Sequence, residues 1–247
     1  MMQGDINAPA TFVRVMEDLF HHELGKFIWI YIDDIFIFTN SIEEHIEHVQ
    51  HACRKLKEDK FYANPKKSVF FVAKLDILGQ MIDDKGIHPA PETIRDIMHW
   101  TRPNNQEELQ RLNGMANYIS QFMPHAATIT APVTELTGDG EWLWTDMQET
   151  AFQAVKRAAE DCKVLRPIDY DNSDMIWLFT DASPTGTGAW IGQGPTRDAA
   201  RPASFHSRKL RPAQSNYPTH KQETLAIVEA MESFAHLLLH RHFYSSN

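Results

Sequence analysis

Two pairs of acidic residues stand where this chain could do chemistry. Asp33 and Asp34 are adjacent and lie between two apolar runs, 27–32 and 35–38. Aromatic and β-branched residues on both sides predict a hairpin with the carboxylates at its tight turn. Like charges a few ångströms apart resist joint ionisation, more so in apolar surroundings. A divalent cation resolves that conflict, and hard oxygen ligands suit Mg²⁺. An isolated Asp-Asp would equally serve as a polar, solvent-facing turn. Here the pair follows Tyr31 by two residues and carries strand-like sequence on both sides.

The second pair is separated in sequence. Asp181 ends an apolar strand predicted over 175–181, before a small-residue turn, 182–188, and a return strand starting at Ala189. Alone, such an Asp would read as the cap of its turn. Glu223, however, falls on a helix predicted over about 215–239, in line with Ile227, Ala230 and Phe234. An acid on an apolar face is informative, because charges are rarely buried unpaired.

The elements that must position these groups follow from periodicity and caps. Asn7, as an N-cap, and Pro9 open a first helix with an apolar stripe at Phe12, Val15, Met16, Leu19 and Phe20, ending near Gly25. Ser41 and Glu44 form a capping-box signature for a second helix, whose buried face would be Ile42, Ile46, Val49, Cys53 and Leu56. His45, His48 and His51 on this helix drift around its surface and read as solvated or helix-flanking side chains. Short strands are expected at 69–72 and 75–82, with a turn at 83–86. Pro89, Pro91 and Pro103 mark a change to helices over 92–100 and 106–122, the latter with Leu109, Leu112, Met115, Ala116 and Ile119 inward. After Gly138-Asp139-Gly140, Trp142 and Trp144 read as core or interdomain anchors before a helix capped by Thr145 and Gln148. Residues 204–210 form a third strand of the second half, and Phe243-Tyr244 begins another.

Tyr31-Ile32-Asp33-Asp34, with its flanks, resembles the metal-binding palm hairpin of reverse transcriptases, especially those of gypsy-type (Ty3-like) long-terminal-repeat retrotransposons. Upstream, Gln3-Gly4-Asp5-Ile6-Asn7-Ala8-Pro9 is similar to the segment before a palm helix. Downstream, Asn64-Pro65-Lys66-Lys67 and Leu78-Gly79 keep the family's order. Asp181, Ser207-Arg208-Lys209-Leu210 and the stretch 219–228 around Glu223 resemble the ribonuclease H region of the same polyproteins.

The resemblance implies an α+β, multi-domain chain. Residues 1–88 would be the C-terminal part of a palm, 89–138 a thumb-like helical segment, and 139–247 an incomplete ribonuclease-H-like α/β domain. Asp33 and Asp34 would hold metal for DNA synthesis, with Gln3 contacting the incoming nucleotide. Asp181 and Glu223 would hold metal for hydrolysis of RNA in a hybrid. The implied cofactor is Mg²⁺, with Mn²⁺ as its alternative. The implied partners are an RNA template, a DNA primer, an RNA–DNA hybrid and deoxynucleoside triphosphates. The Leu78-Gly79 region would belong to the hairpin that grips the primer end, although a Gly that allows a strand bend needs no such role.

The family's polymerase site also uses an Asp from a strand upstream of Gln3, and its ribonuclease H site uses acids beyond the long helix. Each site here is therefore expected to hold two carboxylates and to lack at least one. Little polymerase and at most trace nuclease activity are expected of the chain alone. A second expectation is a catalytically silent remnant that binds nucleic acid or a partner.

Composition sets further bounds. The net charge is −9, and the first 140 residues carry 20 acidic against 13 basic side chains. A nucleic-acid binder usually presents a basic face, so phosphate contacts should be modest and salt-sensitive. No run approaches the roughly 18 apolar residues of a membrane span. The two cysteines, Cys53 and Cys162, offer no disulfide framework or metal spacing, which suits a reducing, intracellular setting. Uncovered sheet edges in the segment that resembles a palm favour oligomerisation or aggregation.

Overall fold

The computed structural model describes residues 8–138, 141–239 and 242–246. The chain divides into two compact units, Met1–Val72 and Ala73–Asn247.

The first unit contains helix α1 (Ala8–Leu19), strands β1 (Ile28–Tyr31) and β2 (Asp34–Ile37), and helix α2 (Ile42–Glu58). Asn7, the expected cap of α1, lies outside the described residues. β1 and β2 pair antiparallel, from Ile28 opposite Ile37 to Tyr31 opposite Asp34. Met16, Phe20, Ile28 and Ala52 form the small buried core. Ser41 caps α2 by accepting a hydrogen bond from the Glu44 amide, as its spacing predicts.

Two expectations fail in this unit. The apolar face of α2 is largely uncovered: Ile42 is 68% and Ile46 41% exposed, Cys53 is exposed, and the one buried residue of the helix is Ala52. A two-stranded ribbon is too narrow to cover a helix of 17 residues. Residues 69–72 form no strand. Phe71 has φ 55°, and Val69, Phe70, Phe71 and Val72 are all exposed. An apolar run becomes a strand only where an edge pairs with it.

The second unit begins with β3 (Leu75–Ile77), β4 (Gln80–Asp83) and β5 (Gly86–Pro89), an antiparallel meander. The expected single segment 75–82 is thus two strands, turned at Leu78 and Gly79, whose φ values are 54° and 70°. Positive φ at both central residues marks a type I′ turn. A Cβ on Gly79 would lie 2.6 Å from the Tyr118 hydroxyl, which donates to the Leu78 carbonyl.

Helices α3 (Pro91–His99), α4 (Gln106–Tyr118), α5 (Ala126–Thr134) and α6 (Asp146–Glu160) follow. α4 ends at Tyr118, and a short 3₁₀ turn, Ser120–Phe122, carries the chain on. Leu109, Leu112, Ala116 and Ile119 are buried as their spacing predicts, whereas Met115 is partly buried. Ile97, Ile119, Phe122, Val155 and Leu165 join these helices in one cluster. Leu165 also exchanges two backbone hydrogen bonds with Ile87, tying the meander to the helices. The Lys156 ammonium donates to the Met98 and Trp100 carbonyls, satisfying the C-terminal end of α3. Trp142 and Trp144 pack with Leu109, Leu112 and Phe152 as core anchors. Thr145 and Gln148 form the predicted capping box of α6.

A four-stranded sheet closes the chain. Its strands are β6 (Met175–Ala182), β7 (Gly186–Gly194), β8 (Arg201–Lys209) and β9 (Phe243–Ser246), in the order β8-β7-β6-β9. β9 runs parallel to β6, so the expected strand at Phe243 is present. The helix expected over 215–239 is two: α7 (Thr219–Ser233) and α8 (Ala235–Leu238), broken at Phe234. Ala230, Phe234 and Leu238 pack on Leu178 and Ile191.

Gly79→Ala should lower the urea-unfolding stability of the chain by at least about 1–2 kcal/mol, from the left-handed φ alone. The loss should shrink in a Tyr118→Phe background, where the hydroxyl nearest the new methyl is gone.

Candidate functional sites

The hairpin brings Asp33 and Asp34 side by side, both exposed. Ile32 and Asp33 are the central residues of a two-residue turn, and Ile32 has φ 49°. A β-branched residue with positive φ is strained, and such strain clusters at functional sites. The buried end of the hairpin is fixed by Ile28 in the core and by the Phe38 amide donating to the Phe27 carbonyl. The acids therefore sit at the free tip, four residues from the anchored end. Gln3 lies outside the described residues.

Asp181 is the penultimate residue of β6, an inner strand, and is exposed. It is paired with Gly188 and shares its face with Phe179, which stacks on Trp190 at 3.8 Å. A Cβ at Gly188 would lie 3.1 Å from the His125 Nδ1, so the missing side chain lets that ring approach Asp181's face. His125 itself has φ 55° and precedes α5, whose Ala127 amide donates to the Ser207 hydroxyl. Alternation along β6 turns Leu178 and Thr180 the other way, toward α7, which carries the half-buried Glu223 in its first turns. The structure thus places Asp181 and Glu223 on packed neighbouring elements, with Asp181 on the sheet face away from α7.

Among the described residues, Asp33, Asp34, Asp181 and Glu223 have no side-chain hydrogen bond or ion pair. Their oxygens are free to accept a cation. No three His, Cys, Asp or Glu side chains among the described residues gather as a ligand set. Asp33 and Asp34, adjacent at the turn, still fit Mg²⁺, which commonly takes one or two carboxylates and completes its shell with water and substrate phosphate oxygens, whereas Asp181 and Glu223 do not meet as a pair on one face of the sheet.

Sequence reasoning missed the acid that is most buried in this sheet. Glu229, on α7, is 6% exposed. It accepts hydrogen bonds from the Thr187 hydroxyl at 2.6 Å and the Arg208 guanidinium at 3.2 Å. These contacts join α7 to β7 and β8. On the same helix, the buried Gln222 amide donates to the Gln214 and Ser215 carbonyls. Together they fix the rotation of α7 and so the placement of Glu223. His206, near Ser233 and Phe234, has its basicity lowered by burial, against the opposing pull of Glu229.

The histidines of α2 also differ from expectation. His51 bonds to Glu23 at 2.8 Å, His48 stacks on Phe27 at 3.7 Å, and His45 meets the Thr39 hydroxyl. All three are partly buried rather than solvated. Burial raises the Glu23 pKa, but hydrogen bonds from Lys55 and His51 carry it below the ordinary value.

A family model for reverse transcriptase (RNA-dependent DNA polymerase) matches residues 1–82, and one for the RNase H-like domain found in reverse transcriptase matches 144–244. The Tf2-3 and Tf2-7 transposon polyproteins of Schizosaccharomyces pombe (strain 972 / ATCC 24843) are each 32% identical over 239 residues, 96% of this chain. The chain spans 18% of the length of these curated relatives. Two solved structures of a foamy viral protease-reverse transcriptase, one with an RNA/DNA hybrid and one with dsDNA, align with TM-scores of 0.86 at 22% identity. Each covers 99% of this chain, and the chain covers 33% and 51% of them respectively. At that identity the likeness shows the fold.

Glu229→Ala should destabilise the second unit by about 2 kcal/mol, because the buried Thr187 hydroxyl loses its acceptor while the half-exposed Arg208 regains water. Glu229→Gln should cost less. Urea unfolding followed by tryptophan fluorescence measures both.

Proposed function

We propose that this chain, which belongs to the reverse transcriptase–RNase H region of retrotransposon polyproteins, supplies two carboxylate pairs for phosphoryl transfer on nucleic acid. Asp33 and Asp34, with Gln3 near the nucleotide, serve template-directed DNA synthesis. Asp181 and Glu223 serve cleavage of RNA in an RNA–DNA hybrid. The observation that carries this reading is the set of four unpartnered carboxylates: Asp33 and Asp34 side by side on a strained hairpin tip, Asp181 on one face of β6, and Glu223 on α7, which packs on the other. Residues 1–88, 89–138 and 139–247 are the corresponding palm, thumb-like and ribonuclease-H-like segments.

Both families are in general divalent-metal dependent, and Mg²⁺ is the ion we assign, with Mn²⁺ as a substitute. When bound, it activates the attacking oxygen and stabilises the leaving one during in-line displacement at phosphorus. The chain's own contribution is to hold free carboxylate oxygens at fixed positions. The hairpin does this through its anchored base, and α7 through the Glu229 and Gln222 contacts. The proposed partners are RNA template, DNA primer, RNA–DNA hybrid and deoxynucleoside triphosphates. The placement of Asp181 on the sheet face away from α7, which carries Glu223, favours a second reading, in which the 247-residue polypeptide alone binds nucleic acid with little processing.

A labelled RNA–DNA hybrid titrated with the purified chain, with and without Mg²⁺ or Mn²⁺, tests both. The expected result is metal-strengthened binding with at most trace cleavage, and loss of the metal effect in Asp181→Asn/Glu223→Gln. Binding indifferent to metal and to the double substitution would overturn the assignment of these carboxylates. Efficient cleavage would overturn the second reading.

A further inference from the structure

At the anchored end of the β1–β2 hairpin, the turn before β1 and one face of α2 line an open cleft of ≈ 450 Å³. That volume falls within the range of small-molecule sites. The helix contributes Glu47, His48, Gln50, His51 and Arg54, whose spacing puts them on one side of α2, and the turn contributes His22, Glu23, Lys26 and Phe27. The pocket lies one strand length, about 13 Å, from Asp33 and Asp34, and none of its residues belongs to either carboxylate pair.

Its charge runs against its surroundings. Residues 1–72 carry 11 acidic and 8 basic side chains, yet the pocket is cationic once its internal pairings are accounted for. Both carboxylate oxygens of Glu23 are engaged, one by His51 at 2.8 Å and the other by Lys55 at 2.9 Å. The Lys55 ammonium is also committed to the Leu19 carbonyl. Lys26 and Arg54 have no acidic partner among the described residues. Against these two free cations, Glu47 is the uncommitted acid of the lining. His22 and the Gln50 amide add further donors, whereas the acceptors are few. A donor-rich lining suits an acceptor-only ligand, and a Lys point charge beside an Arg fork suits phosphate. The stacked Phe27 and His48 rings form a flat wall beside the cations.

We infer that this pocket binds a phosphate-bearing anion of mononucleotide size, at a site separate from the Asp33–Asp34 tip. Calorimetric titration of the full chain at low salt, with EDTA present to silence metal-dependent nucleotide binding, tests this with inorganic phosphate, AMP and adenosine as probes. AMP and phosphate should bind saturably and adenosine should not. Lys26→Glu/Arg54→Glu should weaken AMP binding at least tenfold, whereas the charge-matched Arg14→Glu/Lys57→Glu should change it less than twofold. Asp33→Asn/Asp34→Asn should leave it in place, which separates this site from the proposed polymerase site. The inference is overturned if no phosphate probe binds the folded protein saturably, if adenosine binds as well as AMP, or if the control substitutions weaken AMP equally.

Discussion

Adjacent carboxylates repel one another, and the structure around Asp33 and Asp34 answers that repulsion by leaving both in water at the tip of a short ribbon. Had the hairpin been buried, the pair would have needed a permanent counter-charge or a shared proton. Exposure removes that need and leaves their oxygens open to a cation. The requirement then passes to the hairpin base. Ile28, Met16, Phe20 and Ala52 must hold a two-stranded ribbon that could not stand alone, and the strain at Ile32 is carried by that small core.

The second unit solves the same problem with more material. Asp181 leaves an inner strand of a four-stranded sheet, and the sheet is backed by α7 through a continuous apolar cluster. Here the polar side of the design is buried: Glu229 is neutralised by Arg208 and bonded to Thr187, so a charge under the sheet orients the helix that carries Glu223. Breaking such a pair leaves an uncompensated group inside, whereas the exposed acids at the hairpin tip make no comparable demand. The two units thus place their free carboxylates by different means, one by a turn and one by a locked helix.

Much of this was legible in the sequence because it is local. The Asp-Asp turn, the Ser41 and Thr145 caps, the inner face of α4 and the strand leading into Asp181 follow from spacing and neighbouring residue types. What escaped was non-local. Glu229 lies off the line of Ile227, Ala230 and Phe234, and its partners Thr187 and Arg208 are 42 and 21 residues away. Glu23 and His51 meet across 28 residues. The apolar stripe of α2 and the run 69–72 carried correct patterns for burial, yet within the described residues little covers them. Periodicity states which face is apolar and cannot supply the surface that buries it.

The central proposal is that Asp33 and Asp34 form a cation-binding pair, and that Asp181 and Glu223, which the fold does not bring to one face of the sheet, each offer a free carboxylate to a cation. Adding Mn²⁺ to ²H,¹⁵N-labelled chain and following paramagnetic broadening of its amide signals tests that claim residue by residue. The account predicts that amides around 32–35, and those of 181 and 188 with the first turns of α7, broaden first. Asp33→Asn/Asp34→Asn should abolish the former set alone. Broadening spread evenly over other acidic surfaces, such as Glu43-Glu44 or the 169–174 loop, or unchanged by those substitutions, would contradict it.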